Sequence, residues 1–143
     1  HSINRTEKIL NATPSVWPAQ GEITSNFGWR RMGGQGEFHS GMDIANNVGT
    51  PVLATAAGVI TRVENAGSLG LCIEIDHGFG YRTLYGHLSR TKVNLSQKIN
   101  RNEVIGYIGN TGRSTGPHLH YEVRVTGESS PPANYIIPGA TTY

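Results

Sequence analysis

The sequence contains one cysteine, Cys72, so no disulfide can form within the chain. It has no run of about 18 apolar residues, which excludes a membrane-spanning helix in these 143 residues. Charged residues make up only 15% of the chain, and this argues against a coiled coil or a charged linker. The formal net charge of +2 is too small to indicate nucleic-acid binding, so we expect no nucleic-acid partner.

Glycine is abundant where charge is scarce. The 19 Gly are about twice the usual share, and glycine supplies the positive φ angles of tight turns. Short strand-like segments without a convincing helical period are separated by turns rich in Gly, Asn or Ser. They lie at 23–30, 41–45, 51–63, 71–76, 81–88, 104–109 and 118–125. This pattern predicts an all-β fold, a compact antiparallel sandwich or open barrel.

The length fits one compact domain with short flanking segments. We expect residues 1–16 to be a linker or the end of an upstream helical region, because Pro14 and Pro18 interrupt any helix there. Residues 17–128 then form the domain. Residues 129–143, with three Pro and no periodicity, form a C-terminal surface tail.

Alternation along 118–125 assigns the two faces of that strand. Its odd positions after residue 118 are all apolar or aromatic, which predicts that they face a core. His118 and His120 then lie together on the opposite, polar face, with Cβ atoms about 7 Å apart. In the segment that contains His87, the same alternation places this histidine on one face with Tyr85.

Four of the six histidines occur in motifs that suit a metal site. His39 and Asp43 are four residues apart beside a glycine, the His118 and His120 pair shares a strand face, and His87 ends another strand. A catalytic zinc site uses three N or O ligands and leaves a position for water. His39, Asp43 and one histidine of the pair would supply that set. Zinc would lower the pKa of the water toward about 7 and polarise a scissile carbonyl.

Each of these residues taken singly has a simpler explanation. A lone histidine is usually held by hydrogen bonds on the surface or in the core. We interpret His77, before a Gly-rich turn, as a turn residue or as a partner of a ligand, and not as a ligand itself. Asp43 alone would be explained by bonds to backbone amides at a strand end. The pair His118 and His120 is harder to explain, because a strand seldom needs two histidines on its polar face. Together the motifs favour a metal site.

At these motifs the chain resembles the lysostaphin/LytM-type zinc metallopeptidases, which cut peptide cross-bridges in bacterial cell walls. The matching segments are FHSGMDIA at 38–45, PVLATAAGVI at 51–60, TLYGHL at 83–88 and TGRSTGPHLHYEV at 111–123. The resemblance covers about residues 17–126. It implies a LytM-like fold of the duplicated-hybrid-motif style, with a groove for zinc.

The resemblance also implies a role for each site residue. His39, Asp43 and His120 match the zinc ligands, with one zinc per chain, and His87 and His118 match the catalytic histidines. One of these two would act as general base and the other would stabilise the tetrahedral intermediate, and the sequence leaves both assignments open. No His-Glu-x-x-His motif is present, so the zinc peptidase scheme that uses it is excluded.

The function implied by the resemblance is zinc-dependent hydrolysis of peptide cross-links in peptidoglycan. The stem peptides would be the substrate, and the loop at 28–37 favours direct stem-peptide cross-links over pentaglycine bridges. We therefore expect a location in the cell envelope, periplasmic or extracellular. We also expect the chain to be part of a longer protein with an export signal, a membrane anchor or a regulatory coiled coil upstream.

Two other functions fit parts of the sequence. A catalytically silent or autoinhibited LytM-like module would bind cell wall or activate another hydrolase. Degenerate members lose metal ligands, and the five motif residues retained here argue against a silent module. A site occluded by an upstream segment would keep the same residues, so the autoinhibited form stays open. A phosphocarrier related to sugar-transport domains would use paired histidines on a similar β architecture. It would have no use for the motif of His39 and Asp43.

Overall fold

Antiparallel pairs of β-strands dominate the computed structural model. It describes residues 5–25, 28–32, 35–112 and 116–136, and for residues 5, 6, 29–32 and 35–39 it describes the backbone only. Its strands are β1 (Glu22–Ser25), β2 (Gly28–Met32), β3 (Gln35–His39), β4 (Met42–Ala45), β5 (Pro51–Leu53), β6 (Gly58–Asn65), β7 (Leu71–Gly78), β8 (Tyr81–Thr91), β9 (Lys98–Ile99), β10 (Val104–Ile108), β11 (His118–Val125) and β12 (Glu128–Ser130). Short 3₁₀ helices cover Gly67–Leu69 and Pro132–Asn134.

Ten of these strands form one unclosed sheet. Its main path runs β1-β4-β11-β8-β7-β6-β9, while β10 pairs with β5 and β8, and β12 pairs with β11. β2 and β3 form a separate two-stranded ribbon. The predicted all-β class and its antiparallel, open arrangement are confirmed. The order also makes β4, β11 and β8 neighbours, which positions the site described below.

A helix precedes the sheet, in the region for which the sequence allowed either a helix end or a linker. This helix is α1 (Arg5–Ala12). At its C-terminal end, Arg101 Nη2 donates to the carbonyls of Leu10, Asn11 and Thr13 at 2.8, 3.1 and 3.2 Å. The last carbonyls of a helix have no partner within it, so these bonds satisfy them and tie α1 to the loop between β9 and β10. Within the described part of the chain, no helix has the length and apolar character needed to cross a membrane. The domain division at residue 16 stays a prediction.

The predicted strand 51–63 is wrong in one respect, because the structure interrupts it at 54–57 between β5 and β6. The amide of Ala54 donates to a carbonyl in the β9–β10 loop at 2.9 Å. The amide of Thr55 donates to the hydroxyl of Tyr85 at 3.2 Å, inside the core. The backbone of this segment is therefore satisfied outside the sheet ladder, which ends the strand.

A chain of buried polar side chains crosses the core beneath β8 and β11. The rings of Tyr85 and Tyr121 are 5.3 Å apart, and both hydroxyls contact Thr55 Oγ1, at 3.1 and 2.8 Å. Thr83 Oγ1 donates to the Tyr85 hydroxyl at 2.8 Å and lies 2.7 Å from Nε2 of His77. Burial raises the pKa of both tyrosines and lowers the pKa of His77, which keeps these groups neutral. His77 is thus a buried residue of strand β7, and not a residue of the turn that follows, as the sequence allowed.

Candidate metal centre

Strand β11 carries two histidines on the face that is turned away from the core. Leu119, Tyr121 and Val123 are fully buried, as the alternation of the sequence predicts. His118 and His120 therefore project from the opposite face of the strand. The predicted placement of the histidine pair is confirmed.

Asp43 meets this pair from the neighbouring strand. It is the register partner of His120 across the β4–β11 ladder, and directly opposite residues in antiparallel strands share a face. Asp43 Oδ1 lies 2.8 Å from His120 Nδ1 and 3.9 Å from His118 Nε2. The fold thus brings one carboxylate to two imidazoles that are distant from it in sequence.

His87 joins the cluster from β8, on the other side of β11. Its ring centroid lies 4.6 Å from that of His118 and 6.1 Å from that of His120. Burial, together with the neighbouring imidazoles, lowers the pKa of His87, so that its ring is neutral near pH 7. Of the five predicted site residues, the structure brings these three histidines and Asp43 together.

The face predicted for His87 is wrong, and a bulge in β8 is the reason. Gly86 and His87 lie opposite the single residue Cys72 of β7. His87 has φ of +60°, in the left-handed region that few residues other than glycine adopt. The additional residue reverses the alternation, so that Tyr85 faces the core while His87 faces the site.

Backbone carbonyls fix the proton positions on two of the histidines. His87 Nδ1 lies 2.7 Å from the Thr111 carbonyl oxygen, and His118 Nδ1 lies 2.8 Å from that of Gly116. A carbonyl can only accept, so each Nδ1 carries the proton of the neutral ring and each Nε2 keeps its lone pair. Thr111 is itself held in place, because its Oγ1 donates to the Leu88 carbonyl at 2.7 Å.

His120 lies between two carboxylates. Its Nδ1 is 2.8 Å from Asp43 Oδ1, and its Nε2 is 2.8 Å from Oε2 of Glu122. Burial opposes a charge on this ring, but the hydrogen bonds with Asp43 and Glu122 outweigh it and raise the pKa of His120 to about 9. The site therefore stabilises a positive charge at this ring. Glu122 was missed in the sequence, although its place two residues after His120 puts it on the same face.

The donor atoms of this cluster suit zinc. Zinc binds imidazole nitrogen and carboxylate oxygen, and the Nδ1 of His120 faces the Oδ1 of Asp43. The third predicted ligand, His39, is the last residue of β3, and its side chain lies outside the described residues. Among the side chains that are described, no group of three His, Cys, Asp or Glu is arranged to hold a metal.

Residues 37–132 match the profile of peptidase family M23. This chain belongs to that family. The M23 domain is 42% identical over 123 residues to the peptidoglycan DD-endopeptidase ShyA of Vibrio cholerae. The aligned region covers 84% of this chain and 29% of the relative. It spans about 30% of the length of the curated relatives that it matches first.

Solved structures of peptidases share the fold of the M23 domain. A zinc-containing peptidase from Vibrio cholerae has a TM-score of 0.78 and 33% identity, with 84% of this chain and 39% of that chain covered. The catalytic domain of lysostaphin from Staphylococcus simulans has a TM-score of 0.71 and 29% identity, with 90% and 95% covered. The resemblance to lysostaphin-type peptidases is confirmed.

Proposed function

We propose that this M23 domain is a zinc-dependent endopeptidase that hydrolyses peptide cross-links of peptidoglycan. The observation that carries the proposal is the meeting of Asp43 with imidazoles from β8 and β11, two of which keep an Nε2 lone pair. His39, Asp43 and His120 would hold one zinc. His87 and His118 would be the catalytic histidines.

The hydrogen bonds of His87 and His118 support a role for them in proton transfer. Zinc, when bound, supplies Lewis acidity for the attack of water on the scissile carbonyl. The Nε2 of one neutral histidine accepts the proton of the attacking water, and the imidazolium formed then donates a proton to the departing amine. The second histidine stabilises the oxyanion, which requires a proton on its Nε2 in addition to the one on Nδ1. The Thr111 and Gly116 carbonyls keep both rings oriented through these steps.

The substrate class and the location belong to the same proposal. The name of the DD-endopeptidase relative supports peptidoglycan as the substrate, and we propose direct cross-links between stem peptides as the bonds cleaved. Peptidoglycan lies outside the cytoplasmic membrane. The domain would therefore act in the cell envelope.

The test is digestion of purified peptidoglycan by the zinc-loaded chain, with the fragments identified by mass spectrometry. We expect new amino and carboxyl ends at a cross-link. His118→Ala should keep zinc and lose activity, whereas His120→Ala should lose both, as measured by metal analysis. Glu74→Gln, which removes a partly buried carboxylate paired with Arg82 away from the histidine cluster, is the control and should change neither.

Two outcomes would contradict the proposal. Bound zinc without any released fragment, from several wall types, would favour the catalytically silent module. Equal loss of zinc in His118→Ala and His120→Ala would overturn the assignment of ligand and catalytic roles.

A further inference from the structure

Glu122 is a buried carboxylate on the far side of His120 from Asp43. It is 4% exposed, and its Oε2 lies 2.8 Å from His120 Nε2. The two nitrogens of an imidazole point away from each other, so Glu122 cannot share a metal ion with Asp43 at Nδ1. It contacts the ring without being placed to act as a ligand at that nitrogen.

Arg124 binds only one of the two oxygens of the Glu122 carboxylate. Its Nη2 and Nε both donate to Oε1, at 2.8 and 3.1 Å, which leaves Oε2 for His120. Ser40 Oγ also donates to Oε2, at 3.2 Å. The carboxylate is thereby held in one orientation by groups from β11 and from the turn before β4. A buried carboxylate needs such partners to remain charged.

Zinc can bind His120 only after the ring has lost one of its two protons, and two carboxylates compete for the proton that remains. Asp43 accepts it at Nδ1 and Glu122 accepts it at Nε2. A metal ion can bind Nδ1 only when the proton is on Nε2. Asp43 therefore favours the ring form that blocks the metal, and Glu122 favours the form that admits it.

We propose that Glu122, held by Arg124, is a positioning residue that keeps the proton of His120 on Nε2 and so presents Nδ1 to zinc. The inference rests on the proposed zinc site at His39, Asp43 and His120. It assigns a function to two residues of β11 that are neither ligands nor catalytic groups. Partners of this kind, when substituted, typically lower metal affinity about 10- to 100-fold.

The test measures the dissociation constant of zinc for the 143-residue chain, by competition with a chelator of known affinity. Glu122→Gln should weaken zinc binding about 10- to 100-fold, because the amide is a poorer acceptor for the Nε2 proton. Glu74→Gln is the matched control: it also removes a strand carboxylate paired with an arginine, Arg82, and should leave the affinity unchanged. Nitrogen-15 NMR of the metal-free chain, recorded above pH 9 where the His120 ring is neutral, should show its proton moving from Nε2 toward Nδ1 in Glu122→Gln.

Arg124→Gln separates positioning from simple electrostatics. Removing a positive charge near a cation site would tighten zinc binding by Coulomb interaction alone. The proposal predicts weaker binding, because Glu122 loses the partner that orients it. In the Glu122→Gln background, Arg124→Gln should have no further effect, since the arginine acts through the carboxylate. Because the Arg124 side chain is 44% exposed, this variant tests the proposal even if Glu122→Gln does not fold.

Each result has a distinct meaning. A wild-type chain that binds no zinc overturns the proposed function and, with it, this inference. Tight zinc binding that is unchanged in Glu122→Gln, or tightened in Arg124→Gln, overturns the inference alone. Weaker binding in both variants with an unchanged Glu74→Gln supports it.

Discussion

Gly41 offers the sharpest test of how the site is packed. It lies in the turn before β4, and a Cβ at this position would be 2.5 Å from the Tyr121 carbonyl oxygen, 2.8 Å from Glu122 Cγ and 3.0 Å from His120 Cε1. The substitution Gly41→Ala therefore forces a methyl group against the backbone of β11 and against two side chains of the site. Its effect should appear both in stability and in metal binding.

The magnitude follows from these distances. The Tyr121 contact falls about 0.9 Å short of ordinary contact at 3.4 Å, and a backbone carbonyl in a sheet cannot rotate away. Overpacking of this kind costs about 1–3 kcal/mol. For a chain of this size that lowers Tm by about 3–12 °C. Because Cε1 joins the two ring nitrogens of His120, its displacement should also weaken zinc binding.

The assay pairs thermal unfolding of the metal-free chain with the zinc competition measurement. Gly116→Ala is the matched control, because its Cβ would meet nothing within 4 Å although Gly116 also belongs to the site. We expect Gly41→Ala to lower both Tm and zinc affinity, and Gly116→Ala to lower neither. An unchanged Tm and zinc affinity in Gly41→Ala would refute the packing described here.

Two further predictions concern the polar chain in the core. Burial lowers the pKa of His77. Below about pH 6.5 the unfolded chain therefore binds a proton that the folded chain binds only at lower pH. The free energy of unfolding then decreases as the pH is lowered, by up to about 1.4 kcal/mol per pH unit. In urea unfolding at several pH values, His77→Gln should reduce this slope, and an identical slope would contradict the assignment. Tyr85→Phe should lower the free energy of unfolding by about 2–3 kcal/mol, because the buried Thr55 amide loses its acceptor and the Thr83 hydroxyl keeps only His77 as a partner. Tyr121→Phe removes one hydrogen bond and should cost about 1 kcal/mol. Equal losses in the two tyrosine variants, measured by the same method, would show that these hydrogen bonds do not differ in the way that we describe.

The sequence predicted well what depends on local periodicity. Leu119 and Tyr121 alternate with His118 and His120, and a strand with one buried face must follow that period. The all-β class followed from the turns between such segments. The meeting of Asp43 with the histidine pair was predicted from the residue types that zinc requires, and the β4–β11 ladder brings them together.

The failures have a common cause in contacts between distant segments. His87 was placed on the wrong face because its bulge arises from pairing with β7, which alternation along one strand does not reveal. The interruption at 54–57 depends on partners more than twenty residues away, such as the Tyr85 hydroxyl. Glu122 was counted as part of a polar face, whereas Ser40 and Arg124 cover it.

Because of the bulge at His87, the site forms only when β7 and β8 pair in the correct register. One additional residue allows β8 to turn Tyr85 toward the core and His87 toward the histidine cluster. If β7 and β8 paired without it, every residue beyond the bulge would change face, and the histidine would be exchanged for a core side chain. A chain with this hairpin misaligned would still be rich in β structure, yet it would lack one of the two histidines that we propose as catalytic. Secondary-structure content alone would therefore not reveal the misalignment, whereas the peptidoglycan digestion proposed above would.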